Sequence, residues 1–352
     1  MYPSSKTPYY GIFVKNSELY LAELGVNFVA KSLIRGLERN KLLKGYKYLK
    51  FVCSICFNLL KAKKFGIVYL HFVPVAVWPL YLFKKIRPEI PLIVNFHGGY
   101  IVDFSGNARS LSPKVFAISD LVIAPSDYLK KFMVQNFPVK KSKIIVSPSG
   151  GIDTKRFSPG EKEDRTKTEK LVIGFFSRIS EGKGWEVFVD ALFYLKQNGI
   201  PFNAIMIGGG TDHGILVRRL NELNIDQYVT IVGALSHKEL PYHLSKFDIN
   251  VFPTKLFESL GLVGLEAMAC GVPVIGSNIG GLQSYIKDGY NGYLFEAGNG
   301  LELYRKISCY LSLPHEKKTE MSYNARRTAL EYDSKKVARD LYKEIKSFAN
   351  AE

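Results

Sequence analysis

Short apolar runs alternate with amphipathic stretches along the whole chain. Runs of about four to eight apolar residues predict buried strands, and an apolar period of about 3.6 residues predicts helices. In the first half, strands are predicted at Val26–Leu33, Ile67–Phe72, Pro91–Phe96, Leu121–Ala124 and Lys143–Val146. In the second half, they are predicted at Leu171–Phe176, Phe202–Ile207, Tyr228–Val232, Ile249–Phe252, Pro273–Ile275 and Gly292–Phe295. Because helical patterns separate most of them, we expect two α/β units with parallel sheets.

The clearest helical pattern of the first half surrounds Leu49. Apolar residues recur there at helical spacing, and lysines flank them: Leu49, Val52, Cys53, Cys56, Phe57 and Leu60, with Lys47, Lys50, Lys61 and Lys64. The pattern predicts an amphipathic helix. Cys53 and Cys56 have the spacing of a redox or metal pair. Since no second pair completes a zinc site, we favour a core role for both.

The length of 352 residues suits two domains of about 150 residues each. The polar segment 158–170, SPGEKEDRTKTEK, is the predicted linker. The expected division is therefore a first domain at 1–157, a second domain at 171–332, and a C-terminal helix at 333–352 that packs back toward the first domain.

Positive charge is concentrated in one half of the chain. Residues 1–150 carry 22 Lys and Arg against 7 Asp and Glu, a net charge of +15 out of +16 for the whole chain. A basic domain suggests nucleic acid or an anionic membrane surface as partner, and the charge alone leaves both open.

Other features bear on the compartment. Four cysteines without a disulfide framework indicate a reducing cytosol. The first ten residues do not resemble a signal peptide. The apolar run Phe65–Phe83 contains Pro74, Pro79 and His71, so we expect a strand, a turn and a helix rather than a membrane span.

The stretch FESLGLVGLEAMACGVPVIGS, at 257–277, holds two glutamates with seven residues between them. A strand is predicted to end just before it, and a helix to begin at Gly261. The backbone N–H groups at a helix start bind phosphate. Because a carboxylate repels phosphate, Glu258 and Glu266 are better suited to accept hydrogen bonds from hydroxyl groups. A nucleotide sugar has hydroxyl groups on both sides of a diphosphate, and it fits this pattern.

The same residues carry a resemblance to a known family. Glu258-x7-Glu266 followed by AMACGVPVIGS resembles the retaining glycosyltransferases of family 4, which have the α/β GT-B fold of two Rossmann-like domains with parallel sheets facing across a cleft. Further segments are similar to parts of that family: YPSSKTPYYGIFV to its first loop, NFHGG to its His-Gly turn, VSPSGGIDTKRFSP to its hinge, and GFFSRISEGKGWEVFVDAL to the strand, loop and helix that carry an Arg and a Lys. The resemblance spans nearly the whole chain.

The resemblance implies a role for each matching residue. Glu266 would hold the ribose hydroxyls, and Glu258 the donor-sugar hydroxyls beside the anomeric carbon. Arg178 and Lys183 would neutralise the departing diphosphate, where negative charge grows in the transition state. His97 would line the sugar pocket from the first domain. The other expected donor contacts are at Gly11, Gly233, Ser259, Gly261, Leu262 and Val263.

No metal or other cofactor is expected. The chain has no Asp-x-Asp pair, which agrees with Arg and Lys taking the task of a metal clamp. The segment IGGGTDHG, at 207–214, has His213 where a dinucleotide-binding motif has its third glycine, so it is predicted to be a turn at a strand end.

The predicted activity is retaining, metal-independent transfer from a UDP or GDP sugar to a glycan or lipid-linked acceptor. The protein would lie peripherally on the inner face of the plasma membrane and bind no nucleic acid. The alternatives are a nucleotide-sugar epimerase on the same fold and a basic nucleic-acid-binding protein. Since Met1 begins where the strand before the first loop should have ended, the first sheet is expected to lack that strand and to leave an edge exposed.

Overall fold

The computed structural model describes residues 2–5, 7, 11–38, 40–62, 66–98, 107–160 and 170–351, with the backbone alone at 107–110, 112 and 351. The chain divides into two compact units, Met1–Gly151 with Ser334–Glu352, and Ile152–Asp333. Several positions named above lie outside the described residues: parts of the first loop, Lys64, Gly99 of the His-Gly turn, and most of the predicted linker.

The first unit is built on a four-stranded parallel sheet in the order β1-β2-β3-β4. Its strands are β1 (Val68–His71), β2 (Leu92–Asn95), β3 (Leu121–Ala124) and β4 (Ile144–Val146). All residues of the central strands β2 and β3 are buried. The predicted strands at 67–72, 91–96, 121–124 and 143–146 are therefore confirmed.

Where the structure describes the chain before the second unit, the helices are α1 (Ile12–Glu23), α2 (Lys41–Leu60), α3 (Val77–Ile86), α4 (Asn107–Ile118) and α5 (Asp127–Asn136). Short 3-10 turns lie at Pro74–Ala76 and Lys141–Lys143. The C-terminal helix Ser334–Ala351 belongs to this unit and packs on α1. Leu21 of α1 and Leu341 of the C-terminal helix meet β2 and β3 in one buried cluster.

The strand predicted at 26–33 is wrong. This segment is irregular and pairs with no strand of the described residues. Val26 and Phe28 pack on the buried cluster, whereas Val29 is exposed. The alternating pattern thus reflects burial of alternate side chains without backbone pairing. Among the described residues, no strand precedes Val68.

The predicted helix around Leu49 is confirmed as α2, but the side chains named for its apolar stripe do not form its buried face. The α2 residues that are buried are Phe51 and Ile55. Leu49, Val52, Cys53, Cys56, Phe57 and Leu60 are exposed, apart from the half-buried Val52. The core role favoured for the two cysteines is wrong as well. Because α2 is apolar on two opposite sides, the period of its sequence could not tell which side faces the core.

The second unit is built on a six-stranded parallel sheet in the order β10-β9-β8-β5-β6-β7. Its strands are β5 (Leu171–Phe176), β6 (Phe202–Ile207), β7 (Val229–Gly233), β8 (Ile249–Phe252), β9 (Val274–Ser277) and β10 (Gly292–Phe295). All six agree with the prediction to within about two residues, the usual uncertainty of element ends. The strand order reverses between β5 and β8, and such a point forms a crevice where ligands bind in open α/β sheets.

Both faces of this sheet are covered. Its helices are α6 (Trp185–Gln197), α7 (His213–Glu222), α8 (Leu240–Leu244), α9 (Leu262–Ala269), α10 (Gly300–Leu311) and α11 (His315–Leu330). Short 3-10 turns lie at Asp226–Tyr228 and Gly280–Ser284. Ile173 and Phe175 enter one buried cluster, and Val172 enters another, as alternate residues of a strand must.

None of the described helices combines the length and the hydropathy needed to cross a bilayer.

Candidate active site

The loops that follow β5 and β8 lie side by side at the point where the strand order reverses. Ile173 pairs with Ile249 and Phe175 with Val251, so the two strands end next to each other. The backbone N–H of Lys255 donates to the carbonyl of Gly182 at 2.8 Å, which joins the two loops directly. Residues far apart in sequence are thereby brought to one crevice at the carboxyl edge of the sheet.

The centre of this crevice is an ion pair. Nζ of Lys183 donates to Oε1 of Glu258 at 2.7 Å, and the two side chains are only 14% and 19% exposed. Lys183 stands between Gly182 and Gly184, whose φ values of 78° and 76° are left-handed. A Cβ on Gly184 would lie 1.7 Å from the carbonyl oxygen of Pro253. Both glycines are therefore needed for the lysine loop to approach the glutamate loop this closely.

The Thr254 hydroxyl contacts the carboxylate of Glu258, and this residue was not identified from the sequence. Its fully buried hydroxyl accepts from the backbone N–H of Leu256 at 3.2 Å. Three acceptors compete for its single proton: the Leu256 carbonyl at 3.3 Å, Oε1 of Glu258 at 3.4 Å and the Gly182 carbonyl at 3.5 Å. A polar residue just after the buried strand β8 was the signal that could have identified it. Thr254 helps to fix where the Glu258 carboxylate lies.

The start of α9 forms the next part of the site. Gly261 is the N-cap and has a left-handed φ of 82°. The first N–H groups of a helix, here those of Leu262 and Val263, have no acceptor within the helix. The Tyr285 hydroxyl donates to the Gly261 carbonyl at 2.9 Å, and a Cβ on Gly264 would lie 2.2 Å from the Tyr285 hydroxyl oxygen. Sequence reasoning missed Tyr285, which holds the loop that presents these N–H groups.

The loop between Glu258 and α9 is held from a second direction. The N–H of Gly281 donates to the carbonyl of Glu258 at 2.7 Å. A Cβ on Gly281 would lie 2.3 Å from the carbonyl oxygen of Ser259. The backbone around Glu258 is thus fixed on one side by the Gly182 loop and on the other by the Gly280–Ser284 turn.

Glu266 lies in α9, eight residues after Glu258, and is 9% exposed. Burial raises its pKa to about 8, although the charge of Arg156 acts in the opposite direction. A carboxyl group with that pKa is mostly protonated at neutral pH. A ligand whose hydroxyl groups donate hydrogen bonds to this carboxylate would stabilise its ionised form and lower its pKa.

The other predicted donor residues lie along the same sheet edge. Arg178 follows β5 and is exposed. Gly233 ends β7 with a φ of 85°, and its carbonyl accepts from Gly208 at 2.9 Å. Gly208 follows β6 directly, so IGGGTDHG is a turn at a strand end, as predicted. A Cβ on Gly208 would lie 1.8 Å from the Ser177 carbonyl oxygen, which explains why a glycine is required there.

The first unit has a histidine pair of its own at the carboxyl ends of β1 and β2. Nδ1 of His71 lies 2.8 Å from Nε2 of His97, and the rings are inclined by 14°. Burial lowers the pKa of His71 to about 3 and that of His97 well below its usual range, so both rings are neutral near pH 7. Nδ1 of His97 is buried and has no hydrogen-bond partner among the residues that the structure describes. Sequence reasoning identified His97 but missed His71.

Gly11 belongs to the same region of the first unit. It is buried, has a left-handed φ of 70°, and is the N-cap of α1. The Phe13 ring, two residues further on, lies 4.6 Å from the His97 ring. The described residues therefore bring Gly11 and His97 into one neighbourhood. Within the described ranges, no three His, Cys, Asp or Glu side chains group closely enough to ligate a metal ion.

Two family models match the chain, one in each unit. Residues 159–328 match the model of glycosyl transferases group 1. Residues 25–156 match the model of glycosyltransferase family 4.

Individual proteins agree with these models. An uncharacterised glycosyltransferase of Methanocaldococcus jannaschii is 27% identical over 278 residues, covering 78% of this chain and 74% of the relative. A GDP-mannose-dependent alpha-(1-6)-phosphatidylinositol monomannoside mannosyltransferase of Mycolicibacterium smegmatis is 28% identical over 198 residues, covering 53% of this chain and 51% of the relative.

Solved structures resemble the fold over its full length. The crystal structure of Anabaena HepE in complex with UDP has a TM-score of 0.76 at 18% identity, and the match covers 99% of this chain and 100% of HepE. With parallel α/β sheets in both units, the two family models and this structural match, the chain belongs to the family 4 and group 1 glycosyltransferases of the GT-B fold.

Proposed function

We propose that the protein transfers a hexosyl group from a UDP or GDP sugar to a glycan or lipid-linked acceptor, with retention of anomeric configuration and without a metal ion. The observation that carries this proposal is the Lys183–Glu258 pair beside the start of α9. It combines a cation for phosphate, a carboxylate for hydroxyl groups and backbone donors in one crevice.

The donor would bind along the carboxyl edge of the second sheet. The N–H groups of Leu262 and Val263, at the positive end of the α9 dipole, would receive the diphosphate. Glu266 would accept hydrogen bonds from the ribose hydroxyls and become ionised. The base would lie toward Gly233 at the end of β7. Ser259 and Gly261 would complete the backbone contacts.

Bond cleavage would be assisted by fixed positive charge. The bond between the anomeric carbon and the diphosphate oxygen breaks, and the diphosphate keeps the electron pair. Lys183 and Arg178 stabilise that charge more strongly as it grows. The acceptor hydroxyl oxygen bonds to the anomeric carbon on the same face, and its proton passes to a diphosphate oxygen. These two cations, rather than a metal ion, would neutralise the leaving group.

The first unit would provide the acceptor side and part of the sugar pocket. The neutral His97 would offer its buried, unpartnered Nδ1 to a sugar hydroxyl. The mycobacterial relative is named for a phosphatidylinositol-linked acceptor, and a comparable lipid-linked acceptor at the cytoplasmic face of a membrane would suit the basic charge of residues 1–150.

A thermal-shift screen tests the donor assignment. We expect UDP or GDP, and the matching nucleotide hexose, to raise the melting temperature, since a ligand at 100 times its Kd stabilises by about 2.7 kcal/mol. AMP and CMP at equal concentration are the controls. Equal shifts with all nucleotides, or none with any, would contradict the proposal. Conversion of the donor into an epimeric nucleotide sugar would favour the epimerase alternative.

A further inference from the structure

Helix α2 presents an apolar stripe to solvent. Leu42, Tyr46, Leu49, Cys53, Phe57 and Leu60 recur at spacings of three and four residues, so they share one side of the helix. All six are exposed, and Leu42 and Leu60 are exposed by 86% and 83%. The opposite side carries the buried Phe51 and Ile55. A surface helix normally has polar residues at the positions where α2 has this stripe.

Helix α3 also presents apolar residues to solvent. Its exposed residues Trp78, Leu82 and Ile86 lie on one side, opposite the buried Val77, Leu80 and Phe83. Helices α2 and α3 pack against each other. We call the exposed residues of both helices the α2–α3 surface. An apolar patch of this kind on a soluble domain marks an interaction site.

Lysines border this surface. Helix α2 has lysines at 41, 44, 47 and 50 and no acidic residue, and Lys61 is its C-cap. Nζ of Lys61 lies 4.0 Å from the centre of the Phe57 ring, and that of Lys114 lies 4.1 Å from the centre of the Trp78 ring. The apolar stripe is thus accompanied by positive charge, and the surface is suited to contact an anionic one.

Not every lysine of these helices is available. Lys47 lies 3.3 Å from a Glu38 carboxylate oxygen and donates to the Arg35 carbonyl. Lys84 is bound to Asp120 at 2.8 Å. The exposed cations beside the apolar residues are therefore Lys50, Lys61 and Lys85. Lys41 and Lys44 are exposed too, but they fall in the helical row of the buried Phe51 and Ile55.

We propose that the α2–α3 surface docks on an anionic lipid bilayer. Helix α2 lies in the plane of the interface, its apolar stripe enters the boundary between head groups and acyl chains, and the exposed lysines contact lipid phosphates. Aromatic rings suit this depth, because Tyr and Trp are enriched at membrane interfaces. The proposal extends the membrane location given above but depends on this surface alone, not on the sugar transfer.

Charge argues for lipid rather than a second copy of the chain. In a two-fold symmetric contact the same patch meets itself, so the lysines of α2 would face each other. No acidic residue on α2 could compensate them. An anionic bilayer supplies both the opposite charge and an apolar layer beneath it.

The chain carries a natural reporter of docking. It has two tryptophans, and Trp78 is 52% exposed on the α2–α3 surface while Trp185 is 4% exposed in the other unit. With vesicles of phosphatidylcholine and phosphatidylglycerol, we expect the fluorescence of the full chain to shift to the blue and to be quenched by brominated acyl chains. Trp78→Phe should remove both changes. Vesicles of phosphatidylcholine alone should produce neither.

Matched variants separate this surface from net charge and general hydrophobicity. We expect Lys50→Gln, Lys61→Gln and Lys85→Gln together to lower co-sedimentation with anionic vesicles at least tenfold. Lys131→Gln, Lys140→Gln and Lys141→Gln remove the same charge from exposed positions of the same unit and should have little effect. Likewise Leu42→Ser, Leu49→Ser and Leu60→Ser should abolish insertion, whereas Leu19→Ser, Leu301→Ser and Leu330→Ser should not.

Several results would overturn the proposal. These are equal losses in both lysine sets, binding to neutral vesicles as strong as to anionic ones, or no binding to either. A concentration-dependent dimer that the leucine variants dissociate would assign the surface to a second copy. Salt-sensitive binding of DNA or RNA in place of vesicles would assign it to nucleic acid. Because the variants leave the donor site intact, their thermal shift with nucleotide reports separately on the proposed function.

Discussion

Lys183 and Glu258 form a hydrogen-bonded ion pair, with 2.7 Å between Nζ and Oε1. The two residues lie 75 positions apart and meet because β5 and β8 are neighbours in the sheet. If Lys183 binds the diphosphate and Glu258 the sugar, this contact must loosen when the donor binds. Until then, the charges of Lys183 and Glu258 neutralise each other. The diphosphate would then take the place of Glu258 beside Lys183, and the sugar hydroxyls that of Lys183 beside Glu258.

The first prediction concerns the two cations. Lys183→Ala and Arg178→Ala should each lower turnover by about 10²-fold, the scale expected when one donor to a transition-state anion is removed. Lys255→Ala is the control, because Lys255 pairs with Glu186 at 3.5 Å in an adjoining position and is 42% exposed. It should leave steady-state kinetics nearly unchanged. Activity that disappears with EDTA and returns with manganese would show instead that a metal does this work.

The second prediction concerns Glu258→Gln. Removing its charge releases Lys183 without removing volume, so affinity for the nucleoside diphosphate should stay equal or rise. Turnover should fall, because the contacts of Glu258 are expected at the reacting sugar. Titration calorimetry and steady-state kinetics give the two quantities. Glu266→Ala should show the reverse pattern, with weaker nucleotide binding as its main effect, and identical behaviour of both variants would contradict the assignment.

The third prediction follows from the raised pKa of Glu266, about 8 against a usual value of 4.5. Between these pH values the folded state holds a proton that the unfolded state has lost, so stability falls as pH rises through this window. Glu266→Gln removes that loss, and its melting temperature should exceed that of the wild type at pH 8. The difference should shrink toward pH 4.5.

Nucleotide binding should depend on the same group in the opposite sense. The ionised Glu266 carboxylate accepts hydrogen bonds from the ribose hydroxyls. Affinity for the nucleotide should therefore increase from pH 6 to about pH 8, and binding should release a proton. Calorimetry in buffers with different ionisation enthalpies measures that release. A Gln variant that binds nucleotide like the wild type at pH 8 would show that Glu266 does not hold the ligand.

The fourth prediction concerns Tyr285, whose hydroxyl donates to the Gly261 carbonyl. Tyr285→Phe should cost about 1 kcal/mol of stability and weaken binding of the diphosphate more than that of the nucleoside. Tyr310→Phe is a matched control, since Tyr310 is also buried and donates to the Asp248 carbonyl at 2.8 Å. It should lose similar stability and keep its nucleotide affinity. Equal losses of affinity would assign Tyr285 a general structural role.

The fifth prediction concerns the histidine pair. The hydrogen bond couples the tautomers of the two rings, because one of Nδ1 of His71 and Nε2 of His97 must donate while the other accepts. His71→Leu should lower turnover by about fivefold, the equivalent of about 1 kcal/mol, whereas His71→Asn can still hydrogen-bond to His97 and should lose less. If both variants behave alike in kinetics, the pair does not position His97.

The same pair predicts an acid sensitivity. A buried base whose pKa is lowered to about 3 binds no proton in the folded state at pH values where the unfolded chain does. Its contribution to stability is full above a pH of about 6.5 and is lost as pH falls from there toward 3. The free energy of unfolding of His71→Leu should therefore vary less with pH over that range.

Much of the sheet structure was predictable from sequence. Continuous apolar runs such as Leu171–Phe176 are buried on both faces and have few alternatives to a central parallel strand. The segment at 26–33 was wrongly predicted to be a strand. Burial of side chains on one side gives the same alternation of apolar and polar residues whether or not the backbone is paired. Helix α2 misled because it is apolar on both its inner and outer sides.

The site was predictable only where residues follow strands or belong to the Glu-x7-Glu motif. Glu258, Glu266, Lys183 and His97 stand at such positions. Thr254, Tyr285 and His71 act through contacts that depend on the folded structure: the Tyr285 hydroxyl reaches a carbonyl 24 residues earlier, and His71 meets His97 across two strands. No local pattern in a single sequence encodes such pairings.

Proton NMR of the donor sugar tests the proposed retaining transfer. Purified protein is incubated with a UDP or GDP hexose, selected by its thermal shift, with and without a lipid-linked acceptor. Retaining transfer releases nucleoside diphosphate together with a first-formed sugar product of the donor's own anomeric configuration, and Lys183→Ala should slow this release about 10²-fold. Inversion at the anomeric carbon, an epimeric nucleotide sugar without released diphosphate, or an unaffected Lys183→Ala variant would contradict it.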